Sequence, residues 1–165
     1  MIKPQNFYDS LNRSGVDFYT GVPDSLLKDI CSYISDNAPA EKHIISANEG
    51  GAIALAMGNY LASNKIPLVY MQNSGFGNTI NPLLSLADPK VYSIPMLLLI
   101  GWRGEPGLKD EPQHVKQGEI SETLLKALDI PFVVISKETS DFNKVVSDGV
   151  SHAKVNNTPF AILIR

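Results

Sequence analysis

Cysteine is nearly absent from this 165-residue chain: Cys31 is the only one, so no disulfide can form within it and packing must hold the fold. Cys31 falls on the stripe Leu26, Leu27, Ile30, Cys31 and Ile34 of an expected helix, where a thiol reads as a small buried hydrophobe. Histidine is scarce as well. His43, His114 and His152 are scattered, no Cys or His pair has metal-ligand spacing, and no metal site is expected in the chain itself. No apolar run reaches the length of a membrane span and no signal-like segment is visible, which predicts a cytoplasmic protein without a membrane partner. An excess of positive charge is missing too. Fourteen Lys and Arg stand against 17 Asp and Glu, a net charge of −3, which argues against nucleic acid.

Common nucleotide and nucleophile motifs are also incomplete. Gly75-Phe76-Gly77 starts like a dinucleotide turn, but Ile80 stands where the third glycine belongs, and no acidic residue follows about 20 positions on. There is no lysine phosphate loop, and Ser74 lacks the glycines of a nucleophile elbow.

What is present is a globular composition, 44% hydrophobic and 19% charged, in a chain of single-domain length covering residues 1–165. Strand-like and helix-like segments alternate throughout. Residues 4–14 read as a helix closed by Gly15, and 16–20 as a strand. Asp24 or Ser25 would cap a helix reaching about Asn37. A strand at 43–47, a helix at 50–62 and a strand at 67–72 follow, then a loop at 73–78 and a short helix through Leu86. The remaining strands are 95–100, 132–135 and 160–164, with a helix at 140–155 between the last two. The strands are continuous apolar runs, which requires burial on both faces. The predicted fold is therefore α/β: a doubly wound, mainly parallel six-stranded sheet with helices on both sides.

Three polar or glycine-rich turns, 21–25, 48–51 and 73–78, fall at strand ends and should gather at one edge of the sheet. Glu49 sits among small and apolar neighbours, so a ligand could approach its carboxylate with little water present. The alternative is a first-turn glutamate favoured by the helix dipole. Residues 102–118 form a charged segment containing Trp102, Arg103, Lys109, His114 and Lys116. Loops beyond about 12–15 residues usually bind something or are disordered, and the competing reading is a solvated surface loop.

Taken together, Thr20-Gly21-Val22-Pro23-Asp24-Ser25, Asn48-Glu49-Gly50-Gly51-Ala52 and Gln72-Asn73-Ser74-Gly75-Phe76-Gly77-Asn78 resemble the pyrimidine-binding domain of thiamine-diphosphate-dependent decarboxylases. The phosphonopyruvate decarboxylases are the nearest likeness, supported by Ser85-Leu86-Ala87-Asp88-Pro89 and by the run from Gly101 to His114. The α subunits of the sulfopyruvate decarboxylases come next. The resemblance covers essentially the whole chain. It implies that Glu49 exchanges a proton with N1′ of the aminopyrimidine, for which a low-dielectric pocket would be suited. Asp24 would face the substrate and assist a proton transfer, unless it is only a cap. Asn73, Gly75 and Asn78 would lie near the cofactor, although Asn also favours turns. Ser25, Arg103 and Lys109 would meet an anionic substrate, a guanidinium being suited to an oxyanion, with His114 nearer the reacting carbon.

The resemblance also shows what is missing. The Gly-Asp-Gly and downstream Asn-Asn that hold Mg²⁺ and the diphosphate in such enzymes do not occur as a pair, and Asn156-Asn157 reads as a turn. The chain is expected to supply half of an active site. A complementary diphosphate-binding domain or subunit would carry most of the Mg²⁺ contacts, in a homo- or hetero-oligomer acting on a small anionic 2-oxo acid. The expected activity is decarboxylation of 3-phosphonopyruvate to phosphonoacetaldehyde and CO₂. The rivals are a sulfopyruvate α subunit and a non-catalytic binding module of the same fold.

Overall fold

The computed structural model describes residues 3–136 and 138–165. Six strands form one sheet: β1 (Val16–Gly21), β2 (His43–Ile45), β3 (Ile66–Gln72), β4 (Leu97–Gly101), β5 (Phe132–Ile135) and β6 (Phe160–Ile164). Their spatial order is β2-β1-β3-β4-β6-β5, and every neighbouring pair is parallel. The predicted doubly wound sheet is what the chain adopts.

Alternate residues of the central strands enter two cores. Leu68, Tyr70, Leu97, Leu99 and Ile162 pack with Phe7, Leu11, Ile30, Ile34, Val146 and Val150 on one face. Those partners come from helices α1 (Pro4–Ser14), α2 (Lys28–Asn37) and α6 (Phe142–Asn156). On the other face Val69, Met71, Leu98, Ile100 and Leu163 pack with Ala52, Ile53 and Met57 of α3 (Glu49–Ser63) and with Leu125. Leu125 belongs to α5 (Pro112–Ala127); α4 (Ile80–Pro82) is a single short turn continued by a wider one over Leu83–Ala87. Cys31 is buried in the first core, where burial pushes its thiol up to about 11.

Local chemistry sets the helix ends. Pro4 opens α1, and Gly15 closes it in the left-handed region at φ 91°. The Asn48 carboxamide caps α3 by accepting from the Gly51 N–H at 2.8 Å, so the helix starts at Glu49, one residue ahead of expectation. Asn64 ends it, again left-handed.

The three largest departures from expectation are these. Strand β2 stops at Ile45, because Ser46 turns to donate to the Asn48 carbonyl. The 73–78 loop is a tight helical turn over Asn73–Thr79. The last part of the charged 102–118 segment, from residue 112 on, is not a loop: Pro112 starts α5 there, following the rule that proline is tolerated in a first helical turn.

The chain leaves β1 toward β2 on one side and β3 toward β4 on the other. The gap between β1 and β3 is therefore the switch point at which open parallel sheets form a crevice at the strand carboxyl ends.

Candidate active site at the switch point

All of the turns singled out in the sequence do meet at this one edge, and hydrogen bonds join them. From β2, the chain enters α3 through Glu49, whose carboxylate reaches the turn after β3. Asn78 Nδ2 donates to Glu49 Oε2 at 2.8 Å, while Oε1 accepts no hydrogen bond from any described residue. Gly75 makes this approach feasible: a Cβ on it would stand 2.1 Å from Oε1. A side chain there would push the Glu49 carboxylate out of this position. The low-dielectric surroundings expected around Glu49 are only partly formed. Glu49 is half-buried, because the residues beside it, Gly50 and Gly51, have no side chains to cover it.

Asp24 is the opposite case, with only 6% of its surface exposed. Its Oδ2 accepts from the Leu26 and Leu27 N–H groups at 3.0 and 3.3 Å. It thus caps the turn ahead of α2, and Leu27 rather than Asp24 or Ser25 occupies the helix boundary. Its Oδ1 accepts from Gln72 Nε2 at 2.6 Å, directly across the switch point.

Asn73 is almost fully buried and joins the ends of β3 and β4. Its Nδ2 donates to the Arg103 carbonyl at 2.8 Å and to Ser121 Oγ at 2.9 Å, and its Oδ1 accepts from the Arg103 N–H at 3.0 Å. Both amide hydrogens are used within the protein, so the geometry gives Asn73 a stapling job.

Arg103 carries the segment after β4. Its Nε and Nη2 grip Asp110 at 2.9 and 2.5 Å, and Nη1 donates to Ser25 Oγ at 3.2 Å. Asp110 also accepts from the Gly104 and Glu111 N–H groups. The guanidinium, with these amides, holds the Asp110 carboxyl well below the usual carboxylate range. Two further ties hold the segment: Trp102 Nε1 donates to the Gly118 carbonyl at 3.0 Å, and Arg165 pairs with Glu105. Lys109 lies exposed between them without a side-chain partner. His114 is half-buried in the first turn of α5, its Nδ1 enclosed and without a partner. No hydrogen bond links it to the other predicted site residues.

Sequence reasoning overlooked Gln72 and Asp110. Gln72 was visible as the one polar end of an apolar strand; Asp110 was one carboxylate among several charges.

The fold and its edge define a class: an α/β domain that offers one partly open carboxylate and a glycine-lined approach to a ligand at the switch point. The comparisons with known proteins then specify it. The family model of the thiamine pyrophosphate enzyme N-terminal TPP binding domain matches residues 5–125. Sulfopyruvate decarboxylase subunit alpha of Methanococcus maripaludis is 37% identical over 95% of this chain and 90% of its own length. Phosphonopyruvate decarboxylase of Streptomyces viridochromogenes is 32% identical over 99% of this chain, which spans only 40% of that relative. Among solved structures, the thiamine-diphosphate-dependent 4-hydroxybenzoylformate decarboxylase of Rhodococcus jostii superposes with a TM-score of 0.69 at 20% identity, a likeness of fold. The chain belongs to the thiamine pyrophosphate enzymes, as their N-terminal cofactor-binding domain, and is a component of a thiamine-diphosphate-dependent lyase.

The residues present fit one half of that cofactor. An open carboxylate oxygen beside a bare glycine Cα suits a ring nitrogen that carries a proton. Among the described residues, no group of three His, Cys, Asp or Glu could hold a metal ion.

Proposed function

We propose that this chain supplies the aminopyrimidine-activating half of a 2-oxo acid decarboxylase whose substrate bears a second anionic group, with 3-phosphonopyruvate as that substrate. The observation that carries the reading is Glu49 at the start of α3, held by Asn78 on one oxygen and left open on the other beside Gly75.

Thiamine diphosphate, when bound, supplies the electron sink for loss of CO₂. The chain's own residues do the rest of the work on this side. Glu49 Oε1 holds and returns a proton at N1′, and Asn78 fixes the carboxylate so that this oxygen faces the ring. Asp24, at the mouth of the switch point, serves proton transfer to the substrate. The Ser25 hydroxyl and Arg103 Nη1, the nitrogen that Asp110 leaves free of a carboxylate, meet the second anionic group, and Lys109 adds charge above them. His114 stands on the next element as a further candidate near the reacting carbon. Mg²⁺ and the diphosphate fall to a complementary domain or subunit, in keeping with a relative named subunit alpha.

Sulfopyruvate is the second reading. One observation favours it: a sulfopyruvate decarboxylase subunit alpha is 37% identical to this chain, against 32% for a phosphonopyruvate decarboxylase.

Steady-state kinetics of the completed enzyme on phosphonopyruvate, sulfopyruvate and pyruvate test both. The preferred oxyanion is the one with the higher kcat/KM. The Arg103→Ala variant, made together with Asp110→Asn so that no carboxylate is left unpaired, is expected to lose ~1.5–3 kcal/mol of transition-state binding on the charged substrates, the range for hydrogen bonds to charged groups. Pyruvate should change little. Equal losses on all three substrates would remove Arg103 from substrate recognition.

A further inference from the structure

Asp24 is held from two directions that the sequence does not connect, and this determines where its carboxylate points. The Leu26 and Leu27 N–H groups, three residues away at most, fix Oδ2 locally. Oδ1 is fixed from the neighbouring strand by Gln72 Nε2 at 2.6 Å. Gln72 is itself oriented, because Ser74 Oγ donates to its Oε1 at 2.6 Å. With its oxygen occupied by a donor, the amide can present only N–H to Asp24. Ser74, Gln72 and Asp24 therefore form a directed row spanning the gap between β1 and β3. From the third side comes Gly101, the last residue of β4, whose missing side chain leaves the room that Asp24 takes: a Cβ there would stand 2.2 Å from Oδ2.

Packing alone does not explain the arrangement. A turn cap needs only the Leu26 and Leu27 bonds, and an apolar residue would continue β3, whose residues from Ile66 to Met71 are all buried. The strand instead ends in an amide that reaches across the crevice to a carboxylate 48 positions earlier.

We propose that Gln72 is a positioning residue for the reaction, aiming the Asp24 carboxylate into the crevice, with Ser74 setting the amide's direction and Gly101 clearing its place. This rests on the reading of Asp24 as the group that serves the substrate. Gln72 then acts only through Asp24. Its loss should lower kcat and leave KM nearly unchanged, and it should add little once Asp24 is already disabled.

A double-mutant cycle tests this, since residues acting through one another are not additive. In the completed enzyme, Asp24→Asn is expected to cost ~10²-fold or more in kcat, the range for a lost acid–base group, and Gln72→Met ~10-fold, with non-additivity as the signature of a shared pathway. The double variant should match Asp24→Asn within about twofold. Gly101→Ala, which displaces Asp24 while keeping Gln72, should reproduce the loss of Gln72→Met. In the isolated chain, the urea midpoints of the same variants read the bond without reference to activity, and there Gln72→Met should matter only while Asp24 is present. If the kcat losses of the two single variants multiply, Gln72 works independently of Asp24 and the proposal fails. If Gln72→Met lowers the urea midpoint but leaves kcat intact, the amide is structural and the proposal fails as well. If Asp24→Asn itself leaves kcat unchanged, the catalytic reading of Asp24 falls and takes this inference with it, an outcome distinct from the other two.

Discussion

The two sides of the crevice differ in how much of their polar capacity is already used. On the β1–β4 side, Asp24, Gln72, Asn73, Arg103 and Asp110 are joined by hydrogen bonds and one bidentate ion pair, with Asp24 and Asn73 almost fully buried. On the β2 side, Glu49 is half-buried, bound by Asn78 alone and open on Oε1. A satisfied polar network fixes geometry, whereas an unsatisfied acceptor waits for a donor. On the proposed assignment, the side that would meet the substrate is already assembled and the side that would meet the cofactor is unfinished. Whatever brings the cofactor must also exclude the water around Glu49.

The largest expected effect lies on the unfinished side. Glu49→Gln in the completed enzyme cannot cycle a proton with N1′, so hydrogen–deuterium exchange at the cofactor's C2 should slow by ~10²–10⁴-fold, the usual range for a lost acid–base group. Gly75→Ala, whose Cβ would press on Oε1, should slow the same exchange by less. An unchanged rate in Glu49→Gln would make Glu49 a helix-start residue and erase the contrast.

On the assembled side the expected effect is smaller and appears in stability. Folding depresses the Asp110 carboxyl, chiefly through Arg103. A group depressed on folding stabilises the fold fully above its unfolded value, near ~4 for Asp, and loses that contribution as pH falls below it. The urea midpoint of the chain should therefore fall more steeply below about pH 4 than that of Asp110→Asn. The two should run parallel above about pH 5, where Asp is ionised in both folded and unfolded states. Coincident acid limbs would mean that the Arg103–Asp110 clasp does not hold in solution.

The same contrast explains which parts were legible in the sequence. The sheet was readable because double-sided burial forces continuous apolar runs such as Leu97 to Ile100, and these alternated with helical segments as a parallel sheet requires. The gathering of the three turns followed from parallel strands sharing a carboxyl edge. Helix α5 was hidden: it buries only Gly118, Ser121 and Leu125, so it shows no apolar stripe, and its one signal was Pro112 at the start. Asn73 read in sequence as either a turn residue or a polar contact near the cofactor, and its bonds to Arg103 and Ser121, 30 and 48 positions away, had no local signal. Gln72 to Asp24 spans 48 positions, a separation at which no local pattern reports a contact. Glu49 was singled out by its place at a strand end, but its openness could not be read from small neighbours, which leave a carboxylate uncovered as readily as they admit a ligand.

The central claim is that one side of this crevice is completed from outside the chain, and calorimetry tests it most directly. The isolated chain, titrated with thiamine diphosphate in the presence of Mg²⁺, is expected to show no micromolar binding, because no described cluster of His, Cys, Asp or Glu could hold the metal ion that bridges protein and phosphates. Addition of the complementary domain or subunit should bring tight binding together with turnover. Micromolar binding of the cofactor by this chain alone would contradict the account.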